Sequence, residues 1–317
     1  MTDPVMRTMK RGNSRYYIHP ETGAKAVGVT SVVNMLPKDF LKFWAAKVTA
    51  EAAVDNIAET IGLVAKGQRE AAIDLLKRSH MRNLDTASVK GTEVHAMTED
   101  VDNLGGIPAR IHRDLLPYAR GYLAFREETE AEIVEVETSI WSTEHNYSGT
   151  LDRSLRIPES AFANMEAPPS WYEGPELPIL GDVKTTRSGV HAEVAIQLSA
   201  YRSADQKMVL NAAEGTFHPE VWEPHSMTGL VIHLRPDSWK LVPVAIGPDV
   251  FEIFVNLLSV FRWEKELKDE VLYPPIAGVE EWEPGAILDL EKAIATMNKN
   301  EVSRKAREAK KAEKESK

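Results

Sequence analysis

The sequence predicts an α/β protein, a mixed central β-sheet flanked by helices behind a helical N-terminal region. Three observations predict it. Apolar residues recur at helical spacing before position 131, the texture turns β-rich after it, and the later signals run strand, strand, strand, helix, strand, strand, helix.

The elements follow in order. Tyr16, Tyr17 and Ile18 precede the turn signal His19-Pro20-Glu21-Thr22-Gly23, which predicts a small hairpin. From Lys38 to about Ile61, residues Phe40, Leu41, Trp44, Ala45, Val48 and Ala52 mark a first long helix, with Pro37 suited to its start. Further helices are expected over 68–82, 88–102 and 113–130. The run Ile133, Val134, Val136, Ile140, Trp141 reads as a strand, and so does Tyr147–Ile157. Five prolines and a glycine make 158–178 a loop. Strand signals resume over 179–183, a helix is expected over 190–208, strands over 229–234 and 239–246, and a helix over 251–268.

A chain of 317 residues, 43% hydrophobic, can fill a substantial core. Residues 1–15 are expected as a flexible N-terminus, 16–270 as one mixed domain (16–130 mostly helical, 131–270 the sheet core), and 271–317 as a C-terminal extension. The tail from Lys299 carries eight basic residues against four glutamates, a net +4, and reads as a solvated helix. The formal net charge of -10 excludes a uniformly basic nucleic-acid coat protein but not local basic patches. The absence of cysteine excludes disulfides, thiol catalysis, thiolate zinc sites and cysteine-ligated iron–sulfur clusters, so any metal must sit on oxygen and imidazole. The basic residues near the N-terminus have no apolar run behind them, and eighteen consecutive apolar residues occur nowhere. The expectation is a soluble, non-secreted, cytoplasmic protein without a membrane partner.

The residues that carry chemistry lie in the sheet half. Asp152 ends the strand segment Gly149-Thr150-Leu151-Asp152, and Asp182-Val183-Lys184 follows across the proline-rich loop. Alternation puts Asp182 and Lys184 on one face of their strand. Two aspartates on neighbouring strands can hold a hard divalent ion, and a lysine beside them can orient or deprotonate its water. Gln197 and Tyr201 are one helical turn apart, and serve equally well as a polar edge with a packed aromatic or as a ligand contact. His95 sits beside the apolar stripe Val94, Met97, Val101. Trp44, Tyr118, Tyr122 and Phe125 read as core, the other histidines as structural, and Glu144-His145 is assigned nothing.

The ordered set Gly91-Thr92-x-x-His95, Gly149-Thr150-x-Asp152, Asp182-x-Lys184 and Gln197-x-x-x-Tyr201 resembles the RecB-like branch of the PD-(D/E)XK nuclease superfamily. The opening hairpin, Thr30-Ser31-Val32-Val33 and the helix bearing Trp44 are similar too. The resemblance spans roughly 16–260. It implies a restriction-endonuclease-like core in a nuclease domain over 16–270 and a metal-dependent DNA exonuclease that hydrolyses phosphodiester bonds with Mg²⁺ or Mn²⁺. His95, Asp152, Asp182 and the backbone carbonyl of Val183 would be metal ligands, and Lys184 the catalytic lysine acting with Asp152 and Asp182. Gln197, Tyr201 and Thr185 would contact DNA, and Glu137 would add a carboxylate for a second ion. The chain departs from CRISPR-associated and helicase-associated members in lacking the cysteines of their iron–sulfur cluster, and it has no phosphate-binding loop of a helicase motor. It therefore resembles stand-alone phage exonucleases of recombination, repair or replication, acting on linear DNA ends with a recombination or replication protein as a further partner. A sequence-specific endonuclease and a non-catalytic nucleic-acid-binding module are the rivals.

Overall fold

The N-terminal residues build a small antiparallel ribbon. Strands β1 (Thr8–Arg11), β2 (Ser14–Ile18) and β3 (Lys25–Gly28) pair in sequence, with Lys10 opposite Arg15 and Tyr16 opposite Val27. The hairpin at 19–23 is thus as expected, whereas 8–11 form a strand inside the stretch expected to be flexible. The computed structural model describes residues 6–273 and 290–315. The rest of the N-terminal arm and 274–289 and 316–317 of the expected C-terminal extension lie outside the described residues. The chain divides into two units, 1–267 and 268–317. In the second, a long helix spans Leu290–Glu315.

The N-terminal half is helical: α1 (Val29–Val33), α2 (Asp39–Asp55), α3 (Ile57–Ala65), α4 (Arg69–Lys77), α5 (Ser79–Leu104) and α6 (Leu116–Thr129). Two boundaries differ from the sequence expectation. The first long helix breaks at Asn56, whose side-chain Nδ2 donates to the Ala52 carbonyl at 2.8 Å and competes with the backbone ladder. The break between the helices expected over 68–82 and 88–102 falls at Arg78 instead, and the second, 26 residues long, ends at Gly105, whose φ of 70° suits a left-handed C-terminal cap.

The sheet half follows as β4 (Glu132–Ser142), β5 (Tyr147–Arg156), β6 (Ile179–Lys184), α7 (Glu193–Arg202), β7 (Gln206–Asn211), β8 (Thr216–Val221), β9 (Thr228–Leu234), β10 (Trp239–Ala245) and α8 (Pro248–Arg262). The hairpin β7–β8 stands where the sequence predicts the end of a helix. The short apolar run Met208-Val209-Leu210 fits either period, and an open edge of β4 decides: Ser139 pairs with Met208 and Trp141 with Gln206. Asp205 fixes the turn, accepting from Thr143 N at 2.7 Å and Thr143 Oγ1 at 2.6 Å.

The ten strands among the described residues form one mixed sheet with helices on both faces. One face packs Val29, Leu151, Leu180, Val194, Leu198 and Phe254 under α1, α7 and α8, and the other packs Val94, Tyr122, Leu155, Val183 and Ile232 under α5 and α6. Among the described residues no helix is long and apolar enough to cross a membrane.

Candidate functional site

Strand β5 is the spine of the sheet, with β4 along one edge. The other edge is shared: β3 runs parallel to it at Tyr147–Ser148, and β6 antiparallel at Arg153–Leu155. Between those pairings the edge of β5 opens at 149–152, and Asp152 sits in the fork. Its Oδ2 accepts the Val183 N–H at 2.9 Å, so a side chain replaces the backbone carbonyl a regular ladder would supply. The same oxygen lies 3.2 Å from His95 Nδ1 on α5.

Strand β5 changes face at this point. A Cβ on Gly149 would fall 2.6 Å from Tyr201 Cε1 on α7, yet Arg153, four residues on, donates to Thr98 Oγ1 on α5 at 3.1 Å. A regular strand would aim both positions one way. The switch falls at Asp152 and, opposite it between the pairs Val136–Arg153 and Thr138–Leu151, at Glu137, whose φ of 51° is left-handed. Asp152 thereby reaches the His95 side while Asp182 stays on the α7 side.

Asp182 is 2% exposed. Lys184 Nζ lies 2.7 Å from its Oδ1 and 2.6 Å from its Oδ2, and Gln197 Nε2 donates to Oδ1 at 3.2 Å and to the Tyr201 hydroxyl at 3.1 Å. Tyr201 itself, 2% exposed, is buried beneath Gly149 and supports Gln197 from below. Thr185 follows Lys184 at the partly exposed strand end, close to Gly91 of α5, and its carbonyl accepts from Arg235 at 2.6 Å.

No family model and no curated protein matches the sequence. Among solved structures, the crystal structure of SSO0001 is similar at 13% identity over 65% of this chain and 71% of that one, with a TM-score of 0.28. A likeness that slight carries neither fold nor function.

The electrostatics are those of a crowded, buried anionic site. Burial acts to raise the Asp152 pKa, but the hydrogen bond and charge of His95, then Lys184 and Arg153, hold it well below the usual carboxylate range. Burial lowers and Asp182 raises the pKa of Lys184, and the net is upward, so Lys184 is an ammonium. In this arrangement it can orient a ligand and supply charge, not take up a proton. Asp182 is pushed up by burial against the pull of Lys184. His95 is raised, its burial outweighed by the Asp152 contact. Glu137 is pushed up to about 7 by desolvation and by the charges of Asp152 and Glu99.

The donors suit a hard divalent ion: carboxylate oxygens, an imidazole and a backbone carbonyl at Val183. One observation favours such a group. Asp182 Oδ2 is buried without a well-directed hydrogen bond, despite its short approach to Lys184. Among the described residues, however, no three His, Asp or Glu side chains converge as a ligand set, and Lys184 and His95 supply the positive charge instead. The chemistry of the donors fits, and their arrangement is that of a site balanced by its own cations.

The sequence reading missed Glu99, Thr98, Asp102 and Arg153. Glu99 lies one turn beyond His95, close enough for its charge to act on Glu137. Helical spacing from His95 was the signal available for Glu99 and Asp102. Nothing local marks Arg153, since a buried arginine and an exposed one read alike.

Proposed function

We propose that this chain is a metal-dependent deoxyribonuclease of the RecB-like kind, an exonuclease that hydrolyses phosphodiester bonds from linear DNA ends. The observation that carries the reading is the meeting of a buried carboxylate, Asp182, and a partly buried one, Asp152, with the Lys184 ammonium at the fork of β5 and β6. His95, Asp152, Asp182 and the carbonyl of Val183 would hold Mg²⁺ or Mn²⁺, and Glu137 a second ion. Such an ion lowers the pKa of bound water and screens phosphate charge.

The chain's own residues then divide the work. Lys184 places a fixed positive charge where a scissile phosphate would develop negative charge. Gln197 orients Asp182, and Tyr201 holds Gln197. Thr185 and Gln197, both partly exposed, are the candidates for contact with the DNA strand. The resemblance in sequence, by itself, supports a phage role in recombination, repair or replication, in the cytoplasm of a bacterial host and alongside a recombination or replication protein.

Timed digestion of end-labelled single- and double-stranded DNA with Mg²⁺, Mn²⁺ and a chelator tests this. Metal-dependent shortening that is lost in Asp182→Ala and Lys184→Ala is expected, and digestion retained by both variants sinks the assignment. Discrete fragments from closed circular DNA would make it an endonuclease instead. One observation favours a non-catalytic nucleic-acid module, namely that Lys184 already neutralises Asp182 and no three-ligand set is assembled among the described residues. Calorimetry with Mn²⁺ on the free protein decides, because that module neither binds the ion nor cuts DNA.

A further inference from the structure

Arg153 is 2% exposed, and its Nε and Nη1 make no well-directed hydrogen bond. A buried guanidinium this poorly satisfied is weak support for stability, because apolar replacements of such groups are often neutral or better. What it does make are polar links to α5 and a ring contact on α6. Arg153 Nη2 donates to Thr98 Oγ1 at 3.1 Å, its Nε lies 3.3 Å from Asp102 Oδ2, and its guanidinium carbon sits 5.2 Å from the centre of the Tyr122 ring. Thr98 in turn donates to the His95 carbonyl at 2.9 Å. Asp102 is held in place by Tyr122 at 2.7 Å and by Arg126 at 2.7 Å.

These contacts tie together the same two elements as the His95–Asp152 contact. His95 and Asp102 are seven residues apart on α5, two turns on one face, and Arg153 directly follows Asp152 on β5. We propose that Arg153, Thr98 and Asp102 are positioning residues, a second rung between β5 and α5 that sets the His95 ring against Asp152 and leaves its Nε2 free to ligate a divalent ion. The ion-binding half rests on the function proposed above. The ring-setting half does not.

The experiment uses the full chain with Thr98→Val, which removes the hydroxyl at nearly constant volume, Thr98→Ser, which keeps it, and Arg153→Lys, which keeps the charge but cannot span both partners. Mn²⁺ affinity is read by paramagnetic resonance of the free ion, and the ring nitrogens of His95 by NMR of ¹⁵N-histidine-labelled protein, assigned with His95→Gln. Thr98→Val and Arg153→Lys are expected to weaken Mn²⁺ binding about ten-fold and to shift the His95 resonances, with His233 unmoved and Thr98→Ser close to wild type. Leu258→Ala, a core truncation on the other face, should lower stability without either effect. If both readouts are unchanged in folded Thr98→Val and Arg153→Lys, the proposal is overturned. If wild type binds no Mn²⁺ while the His95 resonances still move, the positioning rung stands and the metal reading falls.

Discussion

The carboxylate of Asp152, not a backbone carbonyl, accepts the Val183 N–H at 2.9 Å, and the two strands separate there. A side chain proposed for the chemistry is thus also a structural one. Asp152→Asn keeps an acceptor oxygen and should remain folded, whereas Asp152→Leu orphans a buried N–H and should lose about 1–3 kcal/mol. Both should lose metal-dependent digestion. Urea titration beside the digestion assay checks this, and equal stability of the two variants would refute the acceptor role.

Lys184 is the principal counter-charge of Asp182, which is 2% exposed. Lys184→Ala leaves a buried carboxylate, which can escape by taking up a proton. The stability lost should be about 1–3 kcal/mol at pH 8 and shrink toward pH 5. Thermal melts across that range measure it; a loss independent of pH would rule out the unpaired charge as its cause.

The pH dependence of the His95–Asp152 contact has a definite sign. His95 is raised from 6.5 in the folded chain, so it contributes stability that is complete below that value and lost as pH rises through its folded pKa. Asp152 is lowered from 3.8, so its contribution is present above that value and lost as pH falls below it. Wild type should lose about 1 kcal/mol on the alkaline side relative to His95→Gln, whose profile flattens there. Denaturant midpoints from pH 5 to 9 compare them.

Glu137 has the sign of His95 and is opposite to Asp152. Its pKa rises from 4.5 to about 7, so the folded state holds the proton longer and stability falls as pH climbs through that interval. The residue is exposed to solvent, which damps the effect to about 1 kcal/mol at most. Glu137→Gln should therefore be the more stable protein at pH 8 and indistinguishable at pH 4, a crossover calorimetry can follow.

Gly149 leaves room for Tyr201, since a Cβ there would lie 2.6 Å from Tyr201 Cε1 and 3.3 Å from Val29. Gly149→Ala should cost about 1–3 kcal/mol by overpacking and displace Gln197 from Asp182. A lowered melting temperature, with digestion weakened more than an equally destabilised α8 variant, is the expected result.

Local pattern determined a good deal here. Alternation and β-branched runs located β4, β5, β6, β9 and β10, and strand spacing placed Asp182 and Lys184 on one face, where they pair. His95 lies beside Asp152, and Gln197, one helical turn from Tyr201, reaches both that hydroxyl and Asp182. Those relations depend on periods of two and 3.6 residues, which a sequence displays. The rest depended on partners distant in the chain. Only the free edge of β4 makes a strand of Met208–Leu210, and only paired irregularities at Glu137 and Asp152 turn β5 from one face to the other. Tyr201 became a buried support and Arg153 a link to α5 because of what packs over them. Burial and register are properties of the assembled sheet, and no window of sequence contains both sides of such a contact.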